Sequence, residues 1–360
     1  MQGITWREYA LTQPGVILHY LKLALWPHPL VLDYWWPVAR TFQEIVPPLL
    51  MMIGLIGLTA WAWRRHPAAS FLGIWLLLML APSSSVLPIA DLAAEHRMYL
   101  PLAAIVVLIV FGASGLVRRL PLAAPWRSRM ACAVAVVTVT TLAIGTIRRN
   151  AQYRSEESIW RVTLAHRPDN PRAHNGLAGA FVRQRRFDEA AVHYAHALRL
   201  QPDYAQAHND AGNALMVQGK LPEAIVHLSE AVRLSPTYAH ALSNLGVALS
   251  KQGHHQEANV YLQRALRLDP RNADLHYNLG NALAKQGAFD AAASAYVQAL
   301  RLKPDFAEAH NNWGNVLSIQ GQVDDALTHY AAALRIQPHH AGARHNLEKF
   351  SVHHDDATER

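Results

Sequence analysis

The chain has 360 residues, 51% of them hydrophobic, and a formal net charge of +7. The first 150 residues carry 12 basic and 5 acidic side chains and the rest carry 21 of each, so the second half lacks the basic excess that a nucleic-acid partner would call for. One cysteine, Cys132, excludes a disulfide framework and a cysteine metal site.

Residues 1–45 open without a signal peptide, because no basic stretch precedes an apolar run and a small-residue cleavage site. Residues 16–26 read as a short amphipathic helix whose apolar positions are interrupted by His19, Tyr20 and Lys22. Pro27, Pro29 and the cluster Asp33, Tyr34, Trp35, Trp36 and Pro37 follow. Tyr and Trp beside an apolar segment favour a membrane interface. A soluble N-terminal helix is the alternative.

Residues 46–150 contain four apolar runs, at 46–63, 67–90, 99–117 and 130–147. A membrane span needs about 20 such residues. The second run is shorter and is interrupted by Pro82, Ser83–Ser85 and Pro88. The segment 64–66 carries two Arg, and 118–129 carries four with no acid. Between them, 83–98 carries one Arg with Asp91 and Glu95. Basic loops stay on the cytoplasmic side. That places residues 1–45, the loop 83–98 and everything after the fourth span on the extracytoplasmic side, periplasmic or luminal.

The part that follows is one unit written five times. Pro202, Pro236, Pro270, Pro304 and Pro338 stand 34 residues apart, and so do Ala190, Ala224, Ala258, Ala292 and Ala326. Ala197, Ala231, Ala265, Ala299 and Ala333 keep the same step. Each unit reads as two helices joined by a turn at Gly219, Gly253, Gly287 or Gly321, with Arg185 in that place in the first unit. Leu177, Leu245, Leu279 and Trp313 fill the first helices, and Tyr194, Leu262, Tyr296 and Tyr330 the second. Pro after the second helix cannot continue it. A period of 34 with small residues at fixed places is the signature of the tetratricopeptide repeat, or TPR. The predicted fold class is therefore all-α: a multi-span helical membrane region followed by a TPR α-solenoid. Residues 151–170 form a half-repeat junction containing Trp160, 171–338 the five repeats, and 339–360 a capping helix at 341–350 with a frayed polar tail.

First helices of TPRs line the concave face. Here they carry Asn209, Asn213, Asn244, Asn278, Asn281, Asn311, Asn312 and Asn315, with Asn175 and Asn346 at the ends. The string Ala-His-Asn-Asn-Trp-Gly-Asn at 309–315 resembles the repeats of O-GlcNAc transferase, in which an inner asparagine ladder holds an extended peptide. An amide offers two donors and an acceptor, so it can pair peptide N–H and C=O groups whatever the sequence. The competing use of these residues is capping turns or packing between repeats. Proteins or peptides are the expected partners.

A second resemblance covers residues 11–175. Pro82-Ser83-Ser84-Ser85-Val86-Leu87-Pro88, followed by Ala94-Glu95-His96-Arg97-Met98-Tyr99-Leu100-Pro101, resembles the last luminal loop of the transmembrane-and-TPR protein O-mannosyltransferases. Tyr20-Leu21 with Pro29-Leu30-Val31-Leu32-Asp33-Tyr34 is similar to the luminal segment before that family's last spans. Arg149-Asn150 with Glu156 and Trp160 is similar to its junction into the repeats. The resemblance implies a GT-C type membrane glycosyltransferase that moves a sugar from a polyprenyl phosphate to protein. By it, Arg97 would hold the lipid phosphate, a role suited to a guanidinium, with Glu95 or Tyr99 orienting it. Asp33 is a further donor-site candidate. An interfacial ion pair accounts equally for Glu95 and Arg97, whose charges beside a span must face water, protein or a ligand. The family's catalytic acid lies in the first extracytoplasmic loop of an N-terminal membrane half that these residues do not include. The chain is thus expected to correspond to the C-terminal part of such a protein. The other reading is a non-catalytic, membrane-tethered TPR scaffold.

The remaining recurrent residues have structural readings. His174, His208, His276 and His310 fall on successive first helices rather than in one cluster, so no metal site is expected. Arg199, Arg233, Arg267, Arg301 and Arg335 close the second helices, where the helix dipole favours a cation. No glycine-rich phosphate loop or Ser/His/Asp set is present, and no cofactor is implied.

Overall fold

A computed structural model describes residues 5–25, 37–65 and 155–358, with scattered positions between 67 and 144. The chain divides into two units, Met1–Phe181 and Val182–Arg360. Asp33, Glu95, Arg97 and Tyr99 lie outside the described residues, as do the expected spans at 67–90, apart from scattered positions, and 99–117. The expected span at 130–147 is described only at scattered positions.

In the first unit, the amphipathic helix expected at 16–26 begins much earlier and runs Trp6–Leu25. A capping box sets that start. The Glu8 carboxylate accepts from the Thr5 N–H at 3.0 Å, and Thr5 Oγ1 accepts from the Glu8 N–H at 3.2 Å. Hydropathy alone misses such a start, because the cap satisfies backbone donors without any apolar residue. A second helix, Phe42–Arg65, has 24 residues. It spans about 36 Å, more than the ~30 Å hydrocarbon core of a bilayer. Most of its large apolar residues face outward, Leu50, Met51, Trp61 and Trp63 among them, while Met52 and Ala62 are buried. Among the described residues it is the one helix long and apolar enough to cross a membrane.

The junction helix is Glu156–His166, opened by reciprocal bonds between Ser155 and Ser158. Trp160 packs onto the next helix, Pro171–Arg183, where a Cβ on Gly176 would stand 2.2 Å from the indole.

The second unit is a run of antiparallel helix pairs. Their first helices are Ala205–Val217, Ala239–Gln252, Ala273–Gln286 and Ala307–Ile319, and their second helices Leu221–Leu234, His255–Leu268, Phe289–Leu302 and Val323–Ile336. Phe187–Leu200 precedes them as the second helix of repeat 1. Every alanine of the two 34-step series from Ala224 onward is fully buried. Close approach follows from one rule: a large residue of the second helix seats on a glycine of the first. At Gly246, a Cβ would lie 2.7 Å from Leu262 Cγ and 3.0 Å from the Ala258 carbonyl oxygen. Leu177 and Leu245 are buried as the period predicts, whereas Leu279 and Trp313 are half-buried.

The turn between paired helices needs a left-handed residue. Gly253 adopts φ +99°, and the equivalent place in repeat 1 is held by Arg185 at φ +60°. That conformation costs a side-chain-bearing residue about 1–2 kcal/mol, against an entropic cost of roughly 0.5–1 kcal/mol for glycine. Arg185→Gly is expected to stabilise the repeats by about 0.5–1 kcal/mol. Thermal midpoints of the two proteins check it, and an unchanged or lower midpoint would show that Arg185 carries no strain.

The last helix corrects an expectation. It runs Ala341–Thr358 instead of stopping at 350 with a frayed tail. No Pro or Gly follows Gly342 before Arg360, so nothing in the backbone chemistry terminates it there. Leu347 and Phe350 pack against Tyr330, Leu317 and Ala326.

Candidate functional site

The asparagines fall into three registers on the first helices, and each register is used differently. Asn209 and Asn311 are buried, at 5% and 8% exposure. Their carboxamide N–H groups donate to the next residue, to Asp210 Oδ1 at 3.1 Å and to Asn312 Oδ1 at 3.0 Å.

One position later stand Asn244, Asn278, Asn312 and Asn346, half-buried. Each donates backwards into the preceding repeat, to the residue 35 positions earlier. Asn244 reaches Asn209 Oδ1 at 2.9 Å, and Asn278 reaches Ser243 Oγ at 3.4 Å. Asn312 reaches the Tyr277 hydroxyl at 3.2 Å, and Asn346 reaches Asn311 Oδ1 at 3.2 Å. This register staples one repeat to the next.

The third register holds Asn213, Asn281 and Asn315. Asn213 is exposed. The side-chain oxygen of Asn281 accepts twice, from the Tyr296 hydroxyl at 2.8 Å and from Asn312 Nδ2 at 2.8 Å. Asn315 repeats the arrangement one repeat later, accepting from Tyr330 at 2.9 Å and from Asn346 at 2.8 Å. Burial raises both phenols above the usual tyrosine range, so they stay protonated and can donate. With both lone pairs of each oxygen taken, the amide orientation is fixed. The Nδ2 groups of Asn281 and Asn315 then have no hydrogen-bond partner among the described residues.

These two amides sit in one open groove of about 410 Å³. Asn278, Asn312, Phe289 and Tyr296 also line it, and Lys251 and Lys285 supply its charge. No carboxylate lines it. The groove therefore offers two N–H₂ donors one repeat apart, aromatic side chains and two cations. It can bind carbonyl oxygens at a repeat's spacing and favours a ligand of negative charge.

The sequence pointed to the asparagines but not to the tyrosines that orient two of them. Tyr296 and Tyr330 stand 15 residues after Asn281 and Asn315, and that recurring step is the signal that could have found them. Sequence reasoning also kept the histidines apart. The first-helix histidines do lie on separate helices, but His208 and His310 each meet a histidine of the second helix 19 residues on.

Comparison with known proteins agrees with the helical repeats. The family model described as the cilia and flagella-associated protein 70 C-terminal domain, a TPR domain, matches residues 124–349. Protein O-mannosyl-transferase Tmtc3 of Drosophila melanogaster is 27% identical over 128 residues, 35% of this chain. The chain spans only 14% of that relative's length. PilW, a type IV pilus biogenesis factor, is 21% identical, with 59% of this chain and 98% of PilW covered at a TM-score of 0.51. YrrB, a TPR protein with an unusual peptide-binding site, is 26% identical, with 52% of this chain and 96% of YrrB covered at a TM-score of 0.43.

Proposed function

The chain belongs to the TPR family of the cilia and flagella-associated protein 70 C-terminal domain, and from that premise we propose that its repeats bind an extended, acidic peptide segment by the peptide's backbone. One observation carries this reading: Asn281 and Asn315 have their oxygens locked by Tyr and Asn donors and their N–H₂ groups left for a ligand. Donors fixed in this way lose little freedom on binding, which favours affinity. Because they address carbonyl oxygens, they tolerate many sequences. Lys251 and Lys285 add the preference for negative charge. The test is a titration of the full chain with labelled extended peptides, matched in sequence except for acidic, neutral or basic flanks. Equal affinity for all three flanks would remove the charge preference, and no binding of any would sink the groove reading.

The membrane role is part of the same proposal. The exposed apolar helix Phe42–Arg65 supports a tether, and the placing of Arg in segments 64–66 and 118–129 supports an extracytoplasmic repeat domain. Protease added to sealed vesicles tests it; repeats cut only from the cytoplasmic face would reverse the orientation. The finer reading is that the groove presents protein acceptors to a lipid-linked sugar, as part of a GT-C type O-mannosyltransferase. The similarity to Tmtc3 supports it, together with the Glu95, Arg97 and Tyr99 string. In that reading Arg97→Ala abolishes sugar transfer by the membrane-bound protein, and an unchanged rate would remove the phosphate role. The scaffold alternative keeps the groove and the tether without the chemistry.

A further inference from the structure

In repeats 2 and 5 a histidine pair joins the two helices of the hairpin. In repeat 2, His208 Nδ1 lies 3.1 Å from His227 Nδ1. In repeat 5, His310 Nδ1 lies 2.9 Å from His329 Nδ1, and the Trp313 ring packs on His329 at 3.9 Å between centroids. The tautomer of the first-helix member follows from its other nitrogen. Nε2 of His208 and of His310 each sits 3.2 Å from a proline carbonyl oxygen, of Pro202 and Pro304. A carbonyl only accepts, so Nε2 carries the proton and Nδ1 presents its lone pair toward the partner ring. Repeat 4 provides an internal contrast. His276 makes the same bond to Pro270 at 3.1 Å, but the second-helix position opposite is Ala295, so the imidazole is there without its pair.

We propose that each histidine pair binds one divalent late transition-metal ion, of the Cu²⁺, Ni²⁺ or Zn²⁺ kind, through its two Nδ1 atoms. Imidazole nitrogens bind such ions at about 2.0–2.1 Å. Two of them on one ion, at angles from a right angle to tetrahedral, stand about 2.9–3.4 Å apart. Both pairs already have that separation. The ion sits off the line between the two nitrogens, so the rings turn to aim both Nδ1 lone pairs at it while the helices keep their separation, and the second-helix imidazole carries its proton on Nε2 instead of Nδ1. The Nε2–H bond to a backbone carbonyl is the outer contact that typically orients a metal-bound imidazole.

The surroundings favour the neutral, ligating form. Burial first, and a neighbouring histidine second, hold His227 below the ordinary histidine value and push His329 down to about 4. Burial, with Arg335 nearby, also lowers His310, against the opposing effect of its bond to the Pro304 carbonyl. Asp325 faces His329 and Glu230 faces His208. Among the described residues no third His, Cys, Asp or Glu converges on either pair, so water completes the coordination. Cu²⁺ should bind tightest, by the general order of divalent affinities.

Titrating Cu²⁺ into the full chain at neutral pH, followed by electron paramagnetic resonance, tests this. Because His174 and His193 of repeat 1 stand at the same 19-residue step, the titration is done in a His193→Ala background, where the expected result is two equivalents per chain with two-nitrogen coordination. His227→Tyr and His329→Ala each remove one equivalent, and the double variant removes both. Each substitution installs a residue that another repeat carries at the same position, Tyr261 and Ala295, so the fold is retained. His276→Ala keeps both equivalents. Two equivalents surviving in the double variant, equal loss in His276→Ala, or no two-nitrogen signal in the His193→Ala background would each overturn the proposal.

Discussion

Leu262→Ala is expected to lower the unfolding free energy of the repeat region by about 3–5 kcal/mol. Leu262 is fully buried and belongs to a core cluster with Leu228, Leu242, Leu245 and Leu249. The size of the cost depends on whether the site can collapse, and here it cannot. The helices are already as close as Gly246 allows, with the Ala258 carbonyl oxygen 3.0 Å from the place of a Gly246 Cβ. Truncation therefore leaves a cavity whose walls are backbone, and the lost contacts are not recovered. In a solenoid each repeat is stabilised mainly by its neighbours, so the damage spreads to repeats 2 and 4. Urea unfolding followed by far-ultraviolet circular dichroism measures it. Leu268→Ala, at a 44% exposed position near the end of the same helix, should shift the midpoint far less. Equal shifts for the two variants would show that the glycine seat does not set the packing.

The second large effect is on binding. Asn281→Asp together with Asn315→Asp is expected to weaken peptide binding roughly 100-fold. Each carboxamide contributes about 0.5–1.5 kcal/mol net to a bound carbonyl, and about 1.4 kcal/mol is a tenfold change. Aspartate suits this test because it keeps the oxygen that Tyr296 and Asn312 address at position 281, and Tyr330 and Asn346 at 315. The internal network survives while the outward N–H₂ is replaced by an acceptor that repels a carbonyl. A neutral-flanked peptide separates that loss from charge repulsion. If the double variant melts like the unaltered protein and binds that peptide equally well, the two amides are structural only.

What could be read in advance, and what could not, divides along a physical line. The 34-residue period, the buried alanines and the prolines behind each second helix are properties of the chain's own spacing, so they determined the repeats, their helices and their turns before any coordinate. The asparagines were legible as a set for the same reason. Their division of labour was not. Asn312 meets Asn281 and Asn346 meets Asn315 at 31 residues' separation, and the staples of the second register act at 35. Those separations become contacts only when one repeat stacks on another, because neighbouring first helices lie side by side and bring one turn of each into register. The start of the first helix at Trp6 needed the Thr5–Glu8 cap, a local signal that hydropathy cannot carry. The histidine pairs needed both helices of a hairpin in place. Spacing along the chain determined which elements exist; which polar atoms remain for a ligand, and which are consumed in holding the stack together, was decided by the packing of one repeat on the next.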